Sequence, residues 1–582
     1  MHDLNKNSRR ANVLSQENRT ALWACVLFFV LANLFVIYFI RQEHYLFYWD
    51  HTNYWAKFDR VSGDFLNAPI SAFKNLIHSI REEDYNDFPA FLIMPLSFVF
   101  GTGRLGFILS IVNALAVPAV IAFIFLHRKL SRMQGYTSPL LPLIAVGTIM
   151  FSPNFWSPIM FGFVDVGGII LINGILLLTL RQSSERERPR VFVLIAVLIP
   201  MLVLYRRWYA YWGVSYFAAI FIQRCLAQFL SDRTRLSAYA KIAFKIGLQA
   251  AISGVFFFVI ATPFANRIMH TNYADIYSAY RSSSTFLEEF IKVFKSFGLI
   301  NFALLVLGAG CGLMDRKTRD FSVFLLLQCG IIFMLFSRTQ SFDSHQLYLL
   351  LPTMLLFSVL FINRVVMGFE KLNVPVLCFL IFIFALEFVA AFCPRQSLII
   401  KLFPKNFLSN IHHPPLVRND LKEFDKMLAV MQGLLVHPND RIYVLASSSV
   451  FNCDILKSVY LSQGRHKELS KKVFWTNDVD KRDGFPQKLL TAQYVAVALP
   501  IQYHLKSEDQ RVMGVPAEAI LNQEGIGTSF MKLPYEFNLE QGVKVFFYQK
   551  IKPFNGPDLA SLSESLKKYY PDRPFIYAIK KD

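Results

Sequence analysis

The sequence predicts a mostly α-helical protein that crosses a membrane about eleven times and ends in a smaller α/β domain. Of its 582 residues, 54% are hydrophobic and only 17% are charged, a balance that is unusual for a soluble protein. Residues 21–40 carry no charge, and at about 1.5 Å per residue this run spans roughly 30 Å of hydrocarbon. From residue 394 onward the composition becomes that of a soluble domain.

The first span is predicted to be a retained signal anchor. Arg9, Arg10 and Arg19 precede it, no small-residue cleavage site follows it, and it is longer than the core of a typical signal peptide. Residues 1–20 are then a cytoplasmic N-terminus.

The predicted transmembrane domain covers residues 21–393 and contains a long first outer loop at 41–104. Apolar windows of about 19 residues place the helices, and several windows are short or contain proline, which makes their boundaries approximate. The spans are expected near 21–40, 105–127, 138–152, 156–180, 191–205, 209–230, 241–262, 296–314, 320–337, 346–363 and 374–393.

Lysine and arginine fall mostly in alternate short loops, which indicates membrane orientation and not nucleic-acid binding, in spite of a formal net charge of +19. We assign these loops to the cytoplasm and expect no nucleic-acid partner. An odd number of spans then places the loops at 41–104 and 263–295, and the domain at 394–582, outside the cytoplasm. The basic loops are 127–132, 181–190, 231–235, 315–319 and the segment with Arg364 and Lys371.

Residues 394–582 are predicted to form an α/β domain on the outer face. Residues 417–433 favour a helix. Short runs rich in β-branched and aromatic residues favour strands at "RIYVLASSS", "AQYVAVALP", "VKVFFYQK" and "PFIYAIK".

Neither a disulfide framework nor a metal site is predicted. Five of the seven cysteines, Cys25, Cys225, Cys311, Cys329 and Cys378, lie inside apolar runs. The adjacent histidines in "HHPP" lack the spacing of a zinc site with other histidines or cysteines. We expect no cofactor and leave a divalent cation open.

Acidic residues near the membrane are candidates for function because ionised groups at membrane depth are costly. Asp50 directly follows the first span, in the stretch "FYWDHTNYWAKF". Asp84 and Asp87 close the first outer loop, and Asp84 is more typical of a solvated loop surface. Asp165 falls inside the predicted span 156–180, roughly 13 Å from its outer end, where it needs a water-filled cavity, a partner or a proton.

The predicted outer face also carries cations that the positive-inside bias does not explain. These are Arg206, Arg207, Arg338 and His345, the last close to Tyr348. Arginine suits bidentate binding of phosphate, and the neighbouring aromatic rings suit sugars. The same rings can form an aromatic belt, and Arg206 and Arg207 can bind lipid headgroups.

Together these features resemble the GT-C superfamily of polytopic glycosyltransferases, nearest to the branch of protein mannosyltransferases and aminoarabinose transferases. The resemblance covers about residues 20–395 and rests on order and topology more than on a long motif. The family carries an acidic motif after its first span, and "WDHTNYWAKF" occupies that place. Asp50 matches the catalytic acid and Tyr54 the aromatic, while His51 replaces the usual second acid.

Further positions match the family in the same order. The stretch "YNDFPAFLIMPLSFVFG", which contains Asp87, is similar to the end of the family's first outer loop, and Arg104 resembles the arginine that follows it. Asp165 resembles an aspartate near the outer end of the fourth span. His345 and Tyr348 resemble a basic residue and a tyrosine that lead into a proline-containing span.

The resemblance implies a glycosyltransferase of a bacterial plasma membrane whose donor is a sugar on a polyprenyl phosphate. The acceptor would be a hydroxyl of a glycan, lipid or protein on the outer face, and direct displacement would invert the anomeric centre. Asp50 would take the acceptor proton, and Asp165 would orient the acceptor or position an arginine. Arg206, Arg207 and Arg338, supported by His345, would stabilise the leaving phosphate.

Two other functions remain open on the sequence. A secondary transporter also combines acids and arginines beside a polytopic cavity, but the sequence lacks the internal repeat that many transporters contain. An oligosaccharyltransferase or ligase that moves a preassembled glycan is the second, although the Trp-Trp-Asp signature of oligosaccharyltransferases is absent.

Overall fold

The computed structural model describes residues 2–184, 188–231, 236–281, 285–368, 372–394 and 403–580. Parts of the predicted basic loops (185–187, 232–235 and 369–371) and the start of the predicted C-terminal domain (395–402) lie outside the described residues.

The chain forms two compact units. The first, here called the membrane unit, consists of residues 1–41, 57–271 and 283–415; the second, called the α/β unit, consists of residues 42–56, 272–282 and 416–582. The two short segments 42–56 and 272–282 therefore belong to the same unit as the C-terminal part of the chain. The predicted domain boundary at residue 393 stays a prediction.

The helices up to residue 392 account for nearly all of the regular structure in that part of the chain. They are α1 His2–Ile40, α2 Asp50–Asn67, α3 Pro69–Glu82, α4 Phe88–Ile93, α5 Ser97–Phe100, α6 Arg104–Ile111, α7 Val117–Met133, α8 Leu141–Met150, α9 Pro153–Phe161, α10 Val166–Ser184, α11 Pro189–Tyr205, α12 Ala210–Ser231, α13 Leu236–His270, α14 Tyr273–Ile276, α15 Phe286–Met314, α16 Arg319–Phe336, α17 Leu351–Gly368 and α18 Asn373–Phe392.

Eight helices in the described ranges are long and apolar enough to cross a membrane, or nine if the bent pair α8 and α9 counts as one span. The chain is therefore an integral membrane protein, and the predicted mostly α class is confirmed. The predicted count of eleven is not confirmed, since the apolar stretches Val166–Gln182 and Pro189–Tyr205 are shorter than eighteen residues. The eight are Ser15–Ile40, Arg104–Met133, Arg207–Ser231, Leu236–His270, Phe286–Met314, Arg319–Phe336, Leu351–Gly368 and Asn373–Phe392.

The predicted continuous span at 156–180 is wrong. Helix α9 ends at Phe161, Gly162 adopts a left-handed conformation with φ 95°, and α10 begins only at Val166. Glycine accepts this φ without the steric cost that a side chain brings. Asp165 therefore lies in the break between two helices and not in the middle of one.

The α/β unit is built on a four-stranded sheet in the order β1-β2-β4-β3. Strands β1 and β2 are parallel, and the other two pairings are antiparallel. The strands are β1 Ile442–Leu445, β2 Tyr494–Leu499, β3 Phe530–Asn538 and β4 Lys544–Lys550. The helices are α19 Leu421–Leu434, α20 Cys453–Gln463, α21 Lys467–Lys471, α22 Asp480–Asp483, α23 Gln487–Thr491, α24 Arg511–Asn522 and α25 Gly556–Tyr569.

Both faces of this sheet are buried. Ile442 and Val444 of β1 belong to one apolar cluster, and Tyr443 and Leu445 belong to another. Successive side chains of a strand point to opposite faces, so an entirely apolar strand such as β1 requires a layer on each side. This arrangement confirms the predicted α/β character.

Two strand assignments differ from the sequence prediction. The run "PFIYAIK" contains a 3-10 turn at Pro574–Tyr577 and no strand; proline with its fixed φ is well accommodated at the first position of a helical turn. Strand β3 was not predicted; its pairing with β4 shifts register between Lys532 and Glu536, which disturbs the simple alternation that a strand prediction relies on.

The segment that follows α1 is integrated into the α/β unit by its backbone and by its core. The His44 N–H donates to the Leu416 carbonyl at 2.9 Å, and the Arg418 N–H donates to the His44 carbonyl at 2.8 Å. Leu46 and Tyr48 are buried among the apolar residues on one face of the sheet. Asp50, two residues further on, is thus carried by a well-packed part of this unit.

Candidate functional site

Asp165 lies at the centre of a buried polar cluster in the membrane unit. Its Oδ1 accepts hydrogen bonds from Arg206 Nε at 2.7 Å and from Trp208 Nε1 at 2.9 Å. Asp165 is 0% exposed and Arg206 4%, so the ion pair is shielded from solvent. Such a pair persists in a membrane protein because each charge neutralises the other.

Two tyrosines fix the backbone around Asp165. The Tyr209 hydroxyl donates to the Asp165 carbonyl at 2.7 Å, and the Tyr205 hydroxyl donates to the carbonyl of Val164. A Cβ on Gly167 or Gly168 would fall 2.2 Å from these tyrosine side chains. The paired glycines at the start of α10 therefore allow the rings to approach the turn that carries Asp165.

Two buried atoms of this cluster lack a hydrogen-bond partner among the described residues. They are Asp165 Oδ2 and His345 Nδ1. The His345 ring stacks on Phe163 at 4.1 Å and lies 6.2 Å from the Trp208 ring, measured between centroids. Because unsatisfied buried polar atoms are costly, they are typical of places where a ligand completes the bonding. We call Asp165, Arg206, Trp208 and His345 the Asp165 cluster.

Arg207 and Asp84 form an ion pair close to this cluster in sequence. Arg207 Nη1 lies 2.5 Å from Asp84 Oδ2, and Arg267 Nη1 lies 3.2 Å from the other carboxylate oxygen. The guanidinium of Arg207 also stands over the Tyr85 ring, 4.7 Å from its centroid. Asp84 is therefore paired with two arginines and is not a simple solvated loop acid.

Asp87 is also paired with cations. Lys57 Nζ lies 2.9 Å from its Oδ1, and Arg60 Nη2 lies 2.7 Å from the same atom. The Asp87 N–H donates to Ser79 Oγ at 2.9 Å. These contacts join α2 and α3 to the end of the first outer loop, so the structure gives Asp87 an architectural position.

The remaining predicted residues of the membrane unit hold helix α9 or face outward. Arg104 Nη2 donates to the Met160 carbonyl at 2.5 Å, and the Tyr348 hydroxyl donates to the Phe155 carbonyl at 2.6 Å. Arg338 is exposed, and no hydrogen bond or ion pair within the described ranges engages its side chain.

Asp50, His51 and Tyr54 belong to the α/β unit, where a strained turn presents Asp50 at the start of α2. Trp49 has a φ of 50°, a left-handed conformation that is uncommon for a residue with a side chain. Its carbonyl accepts a hydrogen bond from the Thr52 hydroxyl at 3.0 Å. Tyr54 is buried on the following turn of the helix.

A second group of polar residues lies beside this turn. His504 packs against the Trp49 ring with centroids 4.6 Å apart, and its Nδ1 lies 2.9 Å from Gln510 Nε2, which donates. The Ser447 hydroxyl is 2.7 Å from the same Nδ1 and donates to Asp478 Oδ2 at 2.7 Å. Arg482 Nη2 lies 2.7 Å from Asp478 Oδ1.

Asp50, Asp454 and Asp478 interact electrostatically, and we call them the carboxylate cluster. Burial, reinforced by the charges of Asp478 and Asp50, raises the pKa of Asp454 to about 7. Burial also raises the pKa of Asp478, against the opposing charge of Arg482. Burial and the positive charge of Arg482 lower the pKa of His504 to about 4. A carboxyl group that titrates near pH 7 is suited to proton transfer.

The structure brings together part of the predicted site and adds residues that the sequence did not single out. Asp165, Arg206 and His345 meet in one cluster. The added residues are Asp454, Asp478, Arg482 and His504. The available signal was that Ser447 and His504 follow the carboxyl ends of the parallel strands β1 and β2, and such ends meet at one sheet edge, where α/β folds often place ligands.

The described part of the chain contains no group of three or more histidine, cysteine, aspartate or glutamate side chains arranged to hold a metal ion.

Comparisons with known proteins give structural similarity only. No protein-family model matches the chain, and no curated protein sequence matches it. The structure of ArnT from Cupriavidus metallidurans bound to undecaprenyl phosphate is similar at 12% identity and a TM-score of 0.48, over 90% of this chain and 97% of that one. The same protein in the apo state gives 11% identity, a TM-score of 0.46, and 92% and 98% coverage.

The oligosaccharyltransferase of Archaeoglobus fulgidus in its apo form is similar at 12% identity and a TM-score of 0.42, over 82% of this chain and 69% of that one. Both proteins belong to the GT-C superfamily, the superfamily that the sequence resembles. At these identities and scores, the roles of individual residues are argued from this chain alone.

Proposed function

We propose that the chain is a GT-C-type glycosyltransferase of the bacterial inner membrane. It moves a sugar from a polyprenyl-phosphate-linked donor to a hydroxyl of a glycan, lipid or protein acceptor on the outer face, with inversion. The support is the order of matching residues along the sequence, the membrane unit itself, and the polar clusters of the two units.

The Asp165 cluster is the observation that carries this proposal. It places an acid, an arginine and a histidine in the interior of a membrane unit, and two of their polar atoms have no hydrogen-bond partner among the described residues. Ionisable groups at membrane depth are costly and are therefore candidates for a functional role, even where two of them form an ion pair. A hydroxyl and an anionic oxygen are the groups that would complete this bonding, and a sugar phosphate supplies both.

The reaction follows from direct displacement at the anomeric carbon. The acceptor oxygen forms a bond to that carbon, the bond from carbon to the phosphate oxygen breaks, and polyprenyl phosphate leaves with the electron pair. Asp50 takes the proton of the acceptor hydroxyl. The negative charge that develops on the phosphate is stabilised by Arg206, Arg207 and Arg338, with His345 in support.

Asp165 has a positioning role in this scheme. Its Oδ1 holds Arg206 at Nε, which orients the guanidinium while the second carboxylate oxygen can accept a bond from the acceptor or the sugar. Asp50 belongs to the α/β unit, and Arg206, Arg207, Arg338 and His345 belong to the membrane unit.

The proposed topology keeps residues 1–20 in the cytoplasm, the helices of 21–393 in the membrane and residues 394–582 outside the cytoplasm. In that orientation the lipid tail of the donor remains in the bilayer while its sugar reaches the outer face. This displacement needs no resident cofactor, and a requirement for a divalent cation is left open.

Reconstitution of the purified chain in liposomes with synthetic polyprenyl-phosphate-linked sugars tests the proposal. We expect an acceptor-dependent release of polyprenyl phosphate and a product of inverted anomeric configuration. Accumulation of intact sugar inside the vesicles, without cleavage of the bond to phosphate, would instead identify a transporter. Release of a whole preassembled glycan would identify a ligase.

A further inference from the structure

Two adjoining cavities in the membrane unit share no lining residue with the Asp165 cluster. The larger has a volume of about 590 Å³ and lies between residues of α10, α12, α13 and α16. The smaller, of about 220 Å³, lies against α11, α12 and α13. Arg224 and Lys245 line both cavities, so the two spaces meet at these side chains.

The lining of these cavities is strongly basic. Arg188, Arg224, Lys241 and Lys245 contribute positive charge, and Asp320 is the one acid among the described residues that line either cavity. An excess of cations over acids around a concave surface raises the local concentration of anions. Arginine and lysine together bind phosphate through both geometry and charge.

The same cavities have an apolar side. Ile220, Phe321 and Phe324 line the larger cavity, and Phe192 and Ile246 line the smaller. A cavity that combines cations with aliphatic and aromatic surface fits a ligand that has an anionic head and a hydrocarbon chain. A free inorganic anion would leave the apolar surface unused.

The position of the cavities along the helices also favours a lipid. Arg224 lies toward the C-terminal end of α12, Lys241 and Lys245 toward the N-terminal end of α13, and Asp320 in the first turn of α16. These helix ends adjoin the loops that the sequence predicts to be cytoplasmic. Basic pockets between transmembrane helices at that level bind the headgroups of anionic lipids.

We propose that this pair of cavities binds the phosphate headgroup of an anionic membrane lipid, at a site separate from the proposed donor site. Arg224 and Lys245 contact the phosphate, and the aromatic residues of α16 contact its acyl chain. This proposal is independent of the glycosyltransferase proposal, because it uses no residue of the Asp165 cluster or the carboxylate cluster.

Native mass spectrometry of the full-length chain, titrated with phosphatidylglycerol or phosphatidylcholine, tests this site. We expect tighter binding of phosphatidylglycerol, and the variant Lys241→Gln/Lys245→Gln should weaken it by about fivefold per charge removed. The matched control Arg316→Gln/Lys317→Gln removes two exposed charges that line neither cavity and should bind as the wild type does.

Inorganic phosphate is added as a competitor to distinguish the two sources of a phosphate group. We expect at most partial displacement, because inorganic phosphate lacks the acyl chains. Complete displacement, or equal loss of lipid in the cavity variant and the control, would overturn the proposal. Equal thermal stability of both variants in phosphatidylcholine shows that altered binding does not reflect unfolding.

Discussion

The acids of the two units differ in the partners that surround them. In the membrane unit, Asp165, Asp84 and Asp87 are each paired with at least one arginine. In the α/β unit, the carboxylate cluster brings three acids near one another, and burial raises the pKa of Asp454 and Asp478. The first arrangement pairs each acid with a cation and fixes the direction of the arginines. In the second, a carboxyl group with a pKa of about 7 favours proton exchange near neutral pH.

This contrast matches the two tasks of the proposed reaction. A leaving phosphate needs positive charge that is already oriented, and paired arginines supply it without reorganisation during the reaction. An acceptor hydroxyl needs a group that can take a proton, and a carboxylate among other carboxyl groups is suited to that exchange. Changing residues in each unit separately tests this division.

Asp50→Asn has the largest expected effect. It removes the proposed base while leaving the side chain nearly unchanged in size, and we expect transfer to fall by roughly 100-fold to 10,000-fold. The measurement is release of polyprenyl phosphate in reconstituted liposomes. Asp64→Asn, in the same helix α2, is the control and should keep wild-type activity; substantial transfer by Asp50→Asn would remove Asp50 from the role of base.

Breaking the buried ion pair of the membrane unit should affect stability more than any surface change. Arg206→Met leaves Asp165 buried without its cation, and we expect a loss of about 3–5 kcal/mol. The double variant Arg206→Met/Asp165→Leu should recover part of that loss, since neither charge then remains buried alone. Thermal unfolding in detergent measures both; equal destabilisation by the single and double variants would contradict this account.

Arg338→Ala should change donor use without changing stability. Arg338 is exposed and makes no hydrogen bond or ion pair in the described structure, so its removal should leave the fold intact. A phosphate-binding role predicts that the variant has a KM for the donor about tenfold higher than that of the wild type. Arg338→Lys should restore part of the affinity because it retains the charge but not the bidentate geometry. Lys74→Ala, which removes an exposed cation on α3, is the control. If the donor KM of Arg338→Ala equals that of the wild type, Arg338 does not bind the phosphate of the donor.

The smallest expected effect concerns His504 and acidic pH. Its pKa is lowered from 6.5 to about 4 by burial and by Arg482, so the unfolded chain takes up a proton before the folded chain does. The contribution of His504 to the free energy of unfolding is complete above pH 6.5. It decreases as the pH falls toward 4, by at most about 3 kcal/mol. Asp454 has the opposite effect, because its raised pKa favours protonation of the folded state at these pH values.

Comparison with His504→Gln isolates the histidine. The variant should lose less stability than the wild type between pH 6.5 and 4, as measured by hydrogen exchange in β1 and β2. Parallel loss in both proteins would mean that His504 titrates in the folded unit as it does in the unfolded chain.

Much of the fold could be predicted from local sequence. Apolar runs predicted membrane helices because the bilayer core imposes a minimum length, and the change of composition after residue 394 predicted the α/β part. The break at Gly162 could not be placed, since one glycine in an apolar run is compatible with a continuous helix. The 3-10 turn at Pro574–Tyr577 was missed for a similar reason: its apolar pattern is also that of a strand.

The sequence by itself determined which chemical groups are available and which apolar runs they adjoin. These groups are an acid after the first span, arginines after later spans, and an aspartate near paired glycines. Only the tertiary structure decided their partners. Asp165 meets Arg206 from another helix, and Asp50 lies near Asp454, about 400 residues further along the chain. Pairing of this kind depends on packing between distant segments, which periodicity and spacing within one segment do not encode.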